Sequence, residues 1–490
     1  MIYDYVIIGG GPGGLTLASL LPGNNILLEK EKTLGGCHRV TWDNGYFTEH
    51  GPRIYGTAYQ NAMFILEQMG INWDDHFTHY DFQFLSIGLG EITGTMQPWE
   101  TGYLIFEFLK QSISGGLRTP SLDKAIDVTN EITDTTTVGE WMDSHSFTEK
   151  SKNVIDRMCR MTDGADSSRY LLTSFLQLVN QDFFYSFQQP NKPMDQLFNL
   201  WEKRIQSKHS DINNPITCEI AKGEEVIEIS KNENTKVCIV YTDRRIISAK
   251  NVIFAMPPQY IAKIIKQGTY NPFSDRFLAY AEETKYLRYI SLTFHFSHHY
   301  NLDHLWGVAK ESKWGIVFIK LDDYMVDTFP GDMFTIAVTK VDTEGLNGKT
   351  ALECSDAEIG EEVWQEMNEL FKFPTKPVIK IYKGDDQAWV LTKYGYGECA
   401  GKDNVRNIEN IRNIEITGNF YAISCHVGES PYSFTSFESA VANAIWLVNR
   451  LTGKNIPIKT LWTLDLVLRM VLTLLVICIF IWFVVYHTKK

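Results

Sequence analysis

The chain lacks a C-x-x-C pair, a low-complexity tract, a basic leader and a second glycine-rich nucleotide fingerprint, and each absence narrows what it can be. Its eight cysteines (Cys37, Cys159, Cys218, Cys238, Cys354, Cys399, Cys425 and Cys478) are scattered. That excludes a disulfide framework or a zinc site and reads as reduced thiols in a cytosolic setting. Basic residues are dispersed under a net charge of −13, which argues against nucleic acid as a partner. No basic n-region precedes the first strand, so no secretory signal is expected. With no second fingerprint after Glu29, electrons are not expected to enter from a nicotinamide cofactor. What remains is globular: 44% apolar and 13% aromatic over 490 residues, too long for one core and therefore two intertwined domains.

The organising stretch is the first. Tyr3-Asp4-Tyr5-Val6-Ile7-Ile8 reads as a buried strand, Leu15 to Leu21 as a helix, and Ile26-Leu27-Leu28-Glu29 as a second strand. Between strand and helix lies Gly9-Gly10-Gly11-Pro12-Gly13-Gly14, with Gly9, Gly11 and Gly14 in the G-x-G-x-x-G spacing. Gly9 permits the tight turn, Gly11 lets a pyrophosphate reach the backbone, and Gly14 lets helix and strand pack closely. The helix N-terminus then presents N–H groups and positive dipole to the phosphates. Glu29 stands where an acid holds ribose hydroxyls. Dinucleotide binding follows from the whole order of elements, not from the glycines alone.

The opposite end is apolar. Met470 to Tyr486 carries no charge, and 17 residues at 1.5 Å each span about 25 Å, short of a bilayer core of about 30 Å. Extending it to 464–486 adds Asp465 and Arg469, an i,i+4 pair suited to the headgroup level, and Lys489-Lys490 follow. The expectation is a single-pass C-terminal anchor with the body in the cytosol. Its shortness points to a thin membrane such as the endoplasmic reticulum.

Further motifs carry a family resemblance. Leu34-Gly35-Gly36-Cys37-His38-Arg39 and Glu49-His50-Gly51-Pro52-Arg53 resemble segments of the flavin amine oxidase superfamily, which includes amine oxidases, protoporphyrinogen oxidase and phytoene desaturase. Gly223 to Ile229 reads as a strand leading to a hairpin at 236–242, with Val226 at the family's adenine-contacting valine. Asn251 to Pro258 matches the next apolar strand. Ile414 to Phe420 resembles the C-terminal Gly-Asp or Gly-Asn motif at Gly418-Asn419, and Ser436-Phe437 opens a helix to about Leu451. The resemblance implies an α/β fold: a Rossmann-type FAD-binding domain (1–57, 215–265, 395–453) interleaved with an α+β substrate domain (58–214, mainly helical, and 266–394). It implies FAD contacts at Gly9, Gly11, Gly13, Gly14, Glu29, Gly36, Arg39, Gly51, Pro52, Arg53, Val226, Gly418, Asn419, Ser436 and Phe437. Cys37 replaces the family's usual phosphate-binding arginine, and Arg39 is the substitute.

Within 58–214, Asn61 to Met69 and Tyr170 to Gln181 have helix-spaced apolar residues, and Phe175, Phe183, Phe184 and Phe187 suit either the lining of an apolar substrate cavity or, for most of them, the core. Gln189 to Leu197 lacks the family's Gly-Gly turn. Strands are expected at 289–296, 315–320 and 334–340, and a crossover helix at 356–370. No catalytic side chain and no metal ligand is assigned. The family's aromatic cage is out of register, since Ser436 replaces its tyrosine and Tyr432 and Phe434 lie nearby. Lys310, Lys313 and Lys320 are candidates for the lysine that many amine oxidases keep near the flavin. Cys399 lies about where monoamine oxidases bond theirs covalently. Three readings stay open at this point: an oxidase or desaturase of a C–N or C–C bond in a small or amphipathic substrate, an isomerase like UDP-galactopyranose mutase, and a non-enzymatic module like the GDP-dissociation inhibitors. Oligomeric state is not legible.

Overall fold

A computed structural model describes residues 1–87, 89–114, 117, 136–207, 216–232, 234–273, 278, 286–300, 302–321, 329–384, 388–389, 419–425 and 436–488. Gly418, Cys399, Tyr432 and Phe434 lie outside the described residues.

Strand Ile2–Ile8 sits inside a seven-stranded sheet. It pairs in parallel with Gly23–Glu29 on one side and Ile246–Ala255 on the other. Ile216–Lys222 extends the sheet beyond Gly23–Glu29, and Phe420–Ile423 joins Ile246–Ala255, both in parallel. The antiparallel hairpin Val226–Lys231 and Cys238–Thr242 completes it. Both faces are covered, which is why these strands are continuous apolar runs. Ile7 points with Leu15, Leu17, Leu27 and Val441 into one core, while Val6 and Ile8 point with Ile26, Val252 and Phe254 into another. The first core is closed by helices Pro12–Leu20 and Phe437–Thr452.

The second sheet has six strands in the order Val378–Tyr382, Ile290–His295, Met333–Val338, Ile316–Lys320, Leu305–Val308 and Gln83–Leu85. Leu292, Phe294, Phe318 and Ile336 pack under helix Asp356–Phe371 through Ile359, Val363 and Met367. Three of these strands are buried at every position, including Ser291, Thr293, His295 and Thr335. Alternation of apolar and polar residues usually marks a half-solvated sheet. Here the polar face instead meets the hairpin Val40–Asp43/Tyr46–Glu49, with the His295 Nε2 at 2.8 Å from the Phe47 carbonyl.

The helices Pro98–Ser114, Val138–Ser144, Glu149–Asp163 and Leu172–Asp182 form a separate helical body around Trp141, Ile155, Phe175 and Leu176. Phe175 is core as expected, but Phe183 and Phe184 are 61% and 45% exposed. In place of a Gly-Gly turn, strand Phe187–Pro190 leads to helix Met194–Ser207. That helix packs toward the first sheet, where the Trp201 indole N–H donates to Ser19 Oγ at 2.9 Å. The chain ends in helix Leu464–Thr488, of which Leu464–His487 is long and apolar enough to cross a membrane, with none of its apolar window buried. Asp465 and Arg469 do form an i,i+4 pair at 3.8 Å, yet Asp465 is buried against the body.

Candidate active site

The turn after the first strand is fixed by close approach. Gly9 has φ +112°, and a Cβ there would collide with the Ala255 carbonyl; a Cβ on Gly14 would collide with the Gly9 carbonyl. Gly11 differs. It is the N-cap of Pro12–Leu20, has ordinary φ −76°, and no side chain caps the helix. A Cβ there would find only Gly36 Cα at 3.7 Å and Gly36 N at 4.0 Å. The helix therefore presents its first N–H groups, with their positive dipole, to open space beside a backbone that no side chain covers. That is what a pyrophosphate requires, and the glycine cradle fits FAD on this ground.

Glu29 lies at the end of the neighbouring strand, 6% exposed. Its carboxylate accepts from the Gly10 N–H at 2.7 Å and the Glu31 N–H at 2.9 Å. Burial raises its pKa, opposed by those two N–H groups and by Arg39. The Gly223 and Glu224 N–H groups donate to the Glu31 and Glu29 carbonyls, so the chain entering Val226 passes beside this acid. The Gly35 N–H donates to the Gly10 carbonyl at 2.9 Å, laying Gly35-Gly36 over the glycine loop. Arg39 follows at 3.8 Å from Glu31, and its charge is felt by both Glu29 and His50.

Beyond the cradle is a cluster that the sequence did not announce as one. Arg53 carries a buried Nε without a hydrogen-bond partner among the described residues, and its backbone carbonyl accepts from Gln189 Nε2 at 2.9 Å. Burial works against its charge, but Cys37, Tyr289, Tyr55 and Glu49 around it outweigh burial and raise its pKa. His38 Nδ1 lies 2.7 Å from the Tyr55 hydroxyl. Burial first, then the Arg53 cation, pushes His38 well below its ordinary value and His50 down to about 3. Burial raises Tyr55 strongly and Tyr289 to about 12, although Arg53 pulls both the other way. A Cβ on Gly51 would meet the Tyr289 hydroxyl at 2.6 Å, and the His50 and Tyr382 rings are 5.1 Å apart. The edge of the second sheet thus closes on Gly51-Pro52-Arg53 of the first domain. The result is a buried cation with the buried Glu49 carboxylate near it, among neutral histidines and phenols.

The remaining residues are placed as follows. Val226 begins the hairpin strand and is buried. Asn419 has φ +101°, and its side-chain amide donates to the Lys250 carbonyl at 2.5 Å. Ser436 caps helix Phe437–Thr452 in a reciprocal box with Ser439. Phe437 is buried among His38, Tyr55, Tyr59 and Trp201, so its ring is packing and only its backbone is free to face a cofactor. Gly13 is buried against Ile423 and the Ala440 carbonyl. Two of the three candidate lysines have other employment: Lys310 pairs with Glu91 at 3.0 Å, and Lys320 donates to the Leu302 carbonyl at 2.8 Å beside Asp332. Lys313 is exposed. Sequence reasoning missed Tyr55, Tyr289 and Tyr382, which come from separate segments. His38 and His50 were within reach, being inside motifs already quoted.

Comparison with known proteins settles the family. The profile of flavin-containing amine oxidoreductases matches residues 13–403. The chain belongs to the flavin-containing amine oxidoreductase family. As a member it is an FAD-dependent oxidoreductase, because the family's proteins bind FAD. No curated protein matches it in sequence. Solved structures resemble it across nearly the whole chain. Cyclohexylamine oxidase from Brevibacterium oxydans IH-35A superposes with a TM-score of 0.66 at 12% identity, covering 92% of this chain and 100% of that one. Putrescine oxidase bound to putrescine gives 0.65 at 14%, covering 93% and 100%. A protein described as a protoporphyrinogen oxidase from Exiguobacterium sp. 255-15 gives 0.62 at 14%, covering 92% and 98%. At such identities the likeness establishes the fold alone and leaves the substrate to this chain's own residues.

Proposed function

We propose that the chain oxidises a C–N or C–C bond in a small or amphipathic substrate that is neutral or anionic at the end entering the Arg53 cluster. The observation that carries this reading is the buried Arg53 cation, whose Nε has no hydrogen-bond partner among the described residues although Glu49 lies near, set beside two histidines held neutral. FAD, when bound, supplies the hydride acceptor. The chain's own part is to bind, orient and exclude water. Gly11, Gly13, Gly14 and the helix N-terminus would hold the pyrophosphate, Glu29 the ribose, and Gly36 and Arg39 the rim. Gly51, Pro52 and Arg53 would wall the reacting end, with Val226, Gly418, Asn419, Ser436 and the Phe437 backbone at the remaining contacts. A positive charge in a water-poor site stabilises negative charge that develops nearby and repels a second cation. A protonated amine is therefore the disfavoured form here.

The FAD-binding body in this reading is 1–57, 215–265 and 395–453, and the substrate domain is 58–214 and 266–394; the composition of the two sheets supports that division. The apolar C-terminal helix anchors the protein in a membrane, with the body on the cytosolic side. Anaerobic mixing with a polyamine, a porphyrinogen and a carotenoid precursor tests the substrate class. Loss of flavin colour with the porphyrinogen or the carotenoid precursor is expected. Loss with the polyamine alone would overturn the argument from Arg53.

A further inference from the structure

Helix Pro98–Ser114 packs Leu104 and Phe108 against the helical body but also carries an apolar outer face. Its buried positions are Glu100, Glu107, Gln111 and Ser112, whereas Trp99, Tyr103, Ile105, Phe106, Leu109 and Ile113 are 39% to 63% exposed. Positions 99, 103, 106 and 113 recur at helical spacing, so the exposed residues form one continuous stripe. The orientation is fixed by the polar side. Glu100 accepts from the N–H groups of Gln97 at 2.7 Å and Thr148 at 2.6 Å and from the Ser151 hydroxyl at 2.5 Å, which ties it to the start of helix Glu149–Asp163. Glu107 accepts from Gln111 Nε2 at 2.8 Å and Lys110 Nζ at 3.0 Å. Rolling the helix to bury its aromatic residues would strip the buried Glu100 carboxylate of Thr148 and Ser151, whereas the Glu107 partners lie on the helix itself.

The apolar C-terminal helix leaves the body at the same place. Arg469 donates from Nε to the Ser112 carbonyl at 2.7 Å and from its terminal nitrogen to the Ile113 carbonyl at 3.4 Å. Asn180 and Asp465 bond reciprocally, at 3.0 Å from the Asn180 amide and 2.8 Å from the Asp465 N–H. From Met470 onward the helix stands clear of the body, exposed to Tyr486. Phe183 and Phe184, just past the helix that holds Asn180, are exposed, and the hydroxyl of the next residue, Tyr185, accepts from the Trp462 N–H at 2.9 Å shortly before the C-terminal helix begins. The point of exit is thus flanked by apolar side chains from two elements, and its polar ties set the body's position relative to the projecting helix.

We infer that the exposed stripe of Pro98–Ser114, together with Phe183 and Phe184, lies in the headgroup–acyl boundary of the bilayer that the C-terminal helix enters. The body then rests on the membrane instead of hanging from a tether. Aromatic and aliphatic side chains favour that boundary, and Lys110 on the same helix has the long stem that lets an ammonium reach the headgroups. The inference rests on the membrane reading of the C-terminal helix given above.

The full chain, reconstituted in phosphatidylcholine vesicles doped with a phosphatidylcholine that carries a diazirine in its acyl chain, tests it. After irradiation, adducts are mapped by peptide mass spectrometry. Adducts are expected on 470–486, on 99–113 and on 183–184. Adducts on 470–486 alone would overturn the inference while leaving the anchor intact; none on either would overturn the anchor reading itself. The double variant Phe106→Asp with Ile113→Asp should lose the 99–113 adducts, keep those on 470–486 and keep its melting temperature. A fall in melting temperature, with no 99–113 adducts in the parent, would mean that protein covers the stripe, either a second copy or another part of this chain.

Discussion

Gly11→Val separates cofactor binding from folding. Gly11 adopts φ −76° and ψ −178°, extended backbone that valine accepts readily, and the nearest atom to a new Cβ is 3.7 Å away. The polypeptide should therefore fold as before. The two methyl groups would occupy the space above the helix N-terminus that the pyrophosphate needs. Losing two N–H contacts to a charged phosphate, at about 1.5–3 kcal/mol each, costs about 3–6 kcal/mol, or roughly 10²–10⁴ in FAD affinity. The assay is flavin absorbance per protein after gel filtration, alongside far-UV circular dichroism. Colourless protein with an unchanged dichroism spectrum is expected. Full flavin occupancy would refute the placement of the pyrophosphate, and an unfolded protein would refute the argument that this site is open. Gly14→Ala makes the contrast, since its Cβ collides with the Gly9 carbonyl, and it should fail to fold.

Further outcomes can be checked in the same preparations. Arg53→Met should keep the flavin but slow its reduction by substrate about tenfold or more, as loss of a charge-stabilising group does, read in anaerobic stopped flow. His50 is pushed to about 3 and His295 to about 4, both below the value near 6.5 of an unfolded histidine. The unfolded chain then takes up protons first, so this stability is complete above about pH 6.5 and declines as pH falls toward 3–4; at pH 5.5 each histidine costs about 1.4 kcal/mol. Urea unfolding at pH 7.5 and 5.5 should show the loss, and His50→Asn should remove its share of the slope. Glu438 is fully buried and accepts from the Asn61 N–H and Nδ2 and the Ala62 N–H at 2.6–2.8 Å. Glu438→Ala leaves the Asn61 and Ala62 N–H groups unpaired, while the Asn61 side-chain amide keeps the Lys459 carbonyl at 3.1 Å, so a loss of about 2–6 kcal/mol is expected by thermal unfolding, with Gln recovering part of it.

The glycine cradle was legible because it is local: strand, turn, helix and acid follow one another, and backbone geometry dictates each residue type. The same holds for the hairpin at 226–242 and for the C-terminal apolar helix. The Arg53 cluster was only half legible, since Gly51-Pro52-Arg53 was readable while Tyr289 and Tyr382 arrive from the other sheet, more than 230 residues away in sequence. Nothing local distinguishes a tyrosine that closes an active site from one that fills a core. Phe183 and Phe184 misled for a related reason. Large aromatic residues usually mean core, and nothing local marks the ones a fold leaves at its surface. The apolar outer face of helix Pro98–Ser114 could be recognised only once the Thr148 and Ser151 partners of Glu100 were known.

The source of the electrons separates direct oxidation from isomerisation. Full-length protein, purified with its flavin, is mixed anaerobically with candidate substrate and no nicotinamide, and the flavin absorbance is followed before and after air is admitted. Direct oxidation predicts bleaching by substrate alone and return of colour in air. Flavin that stays oxidised until NADPH is added, followed by turnover of a nucleotide sugar without net redox change, would contradict it.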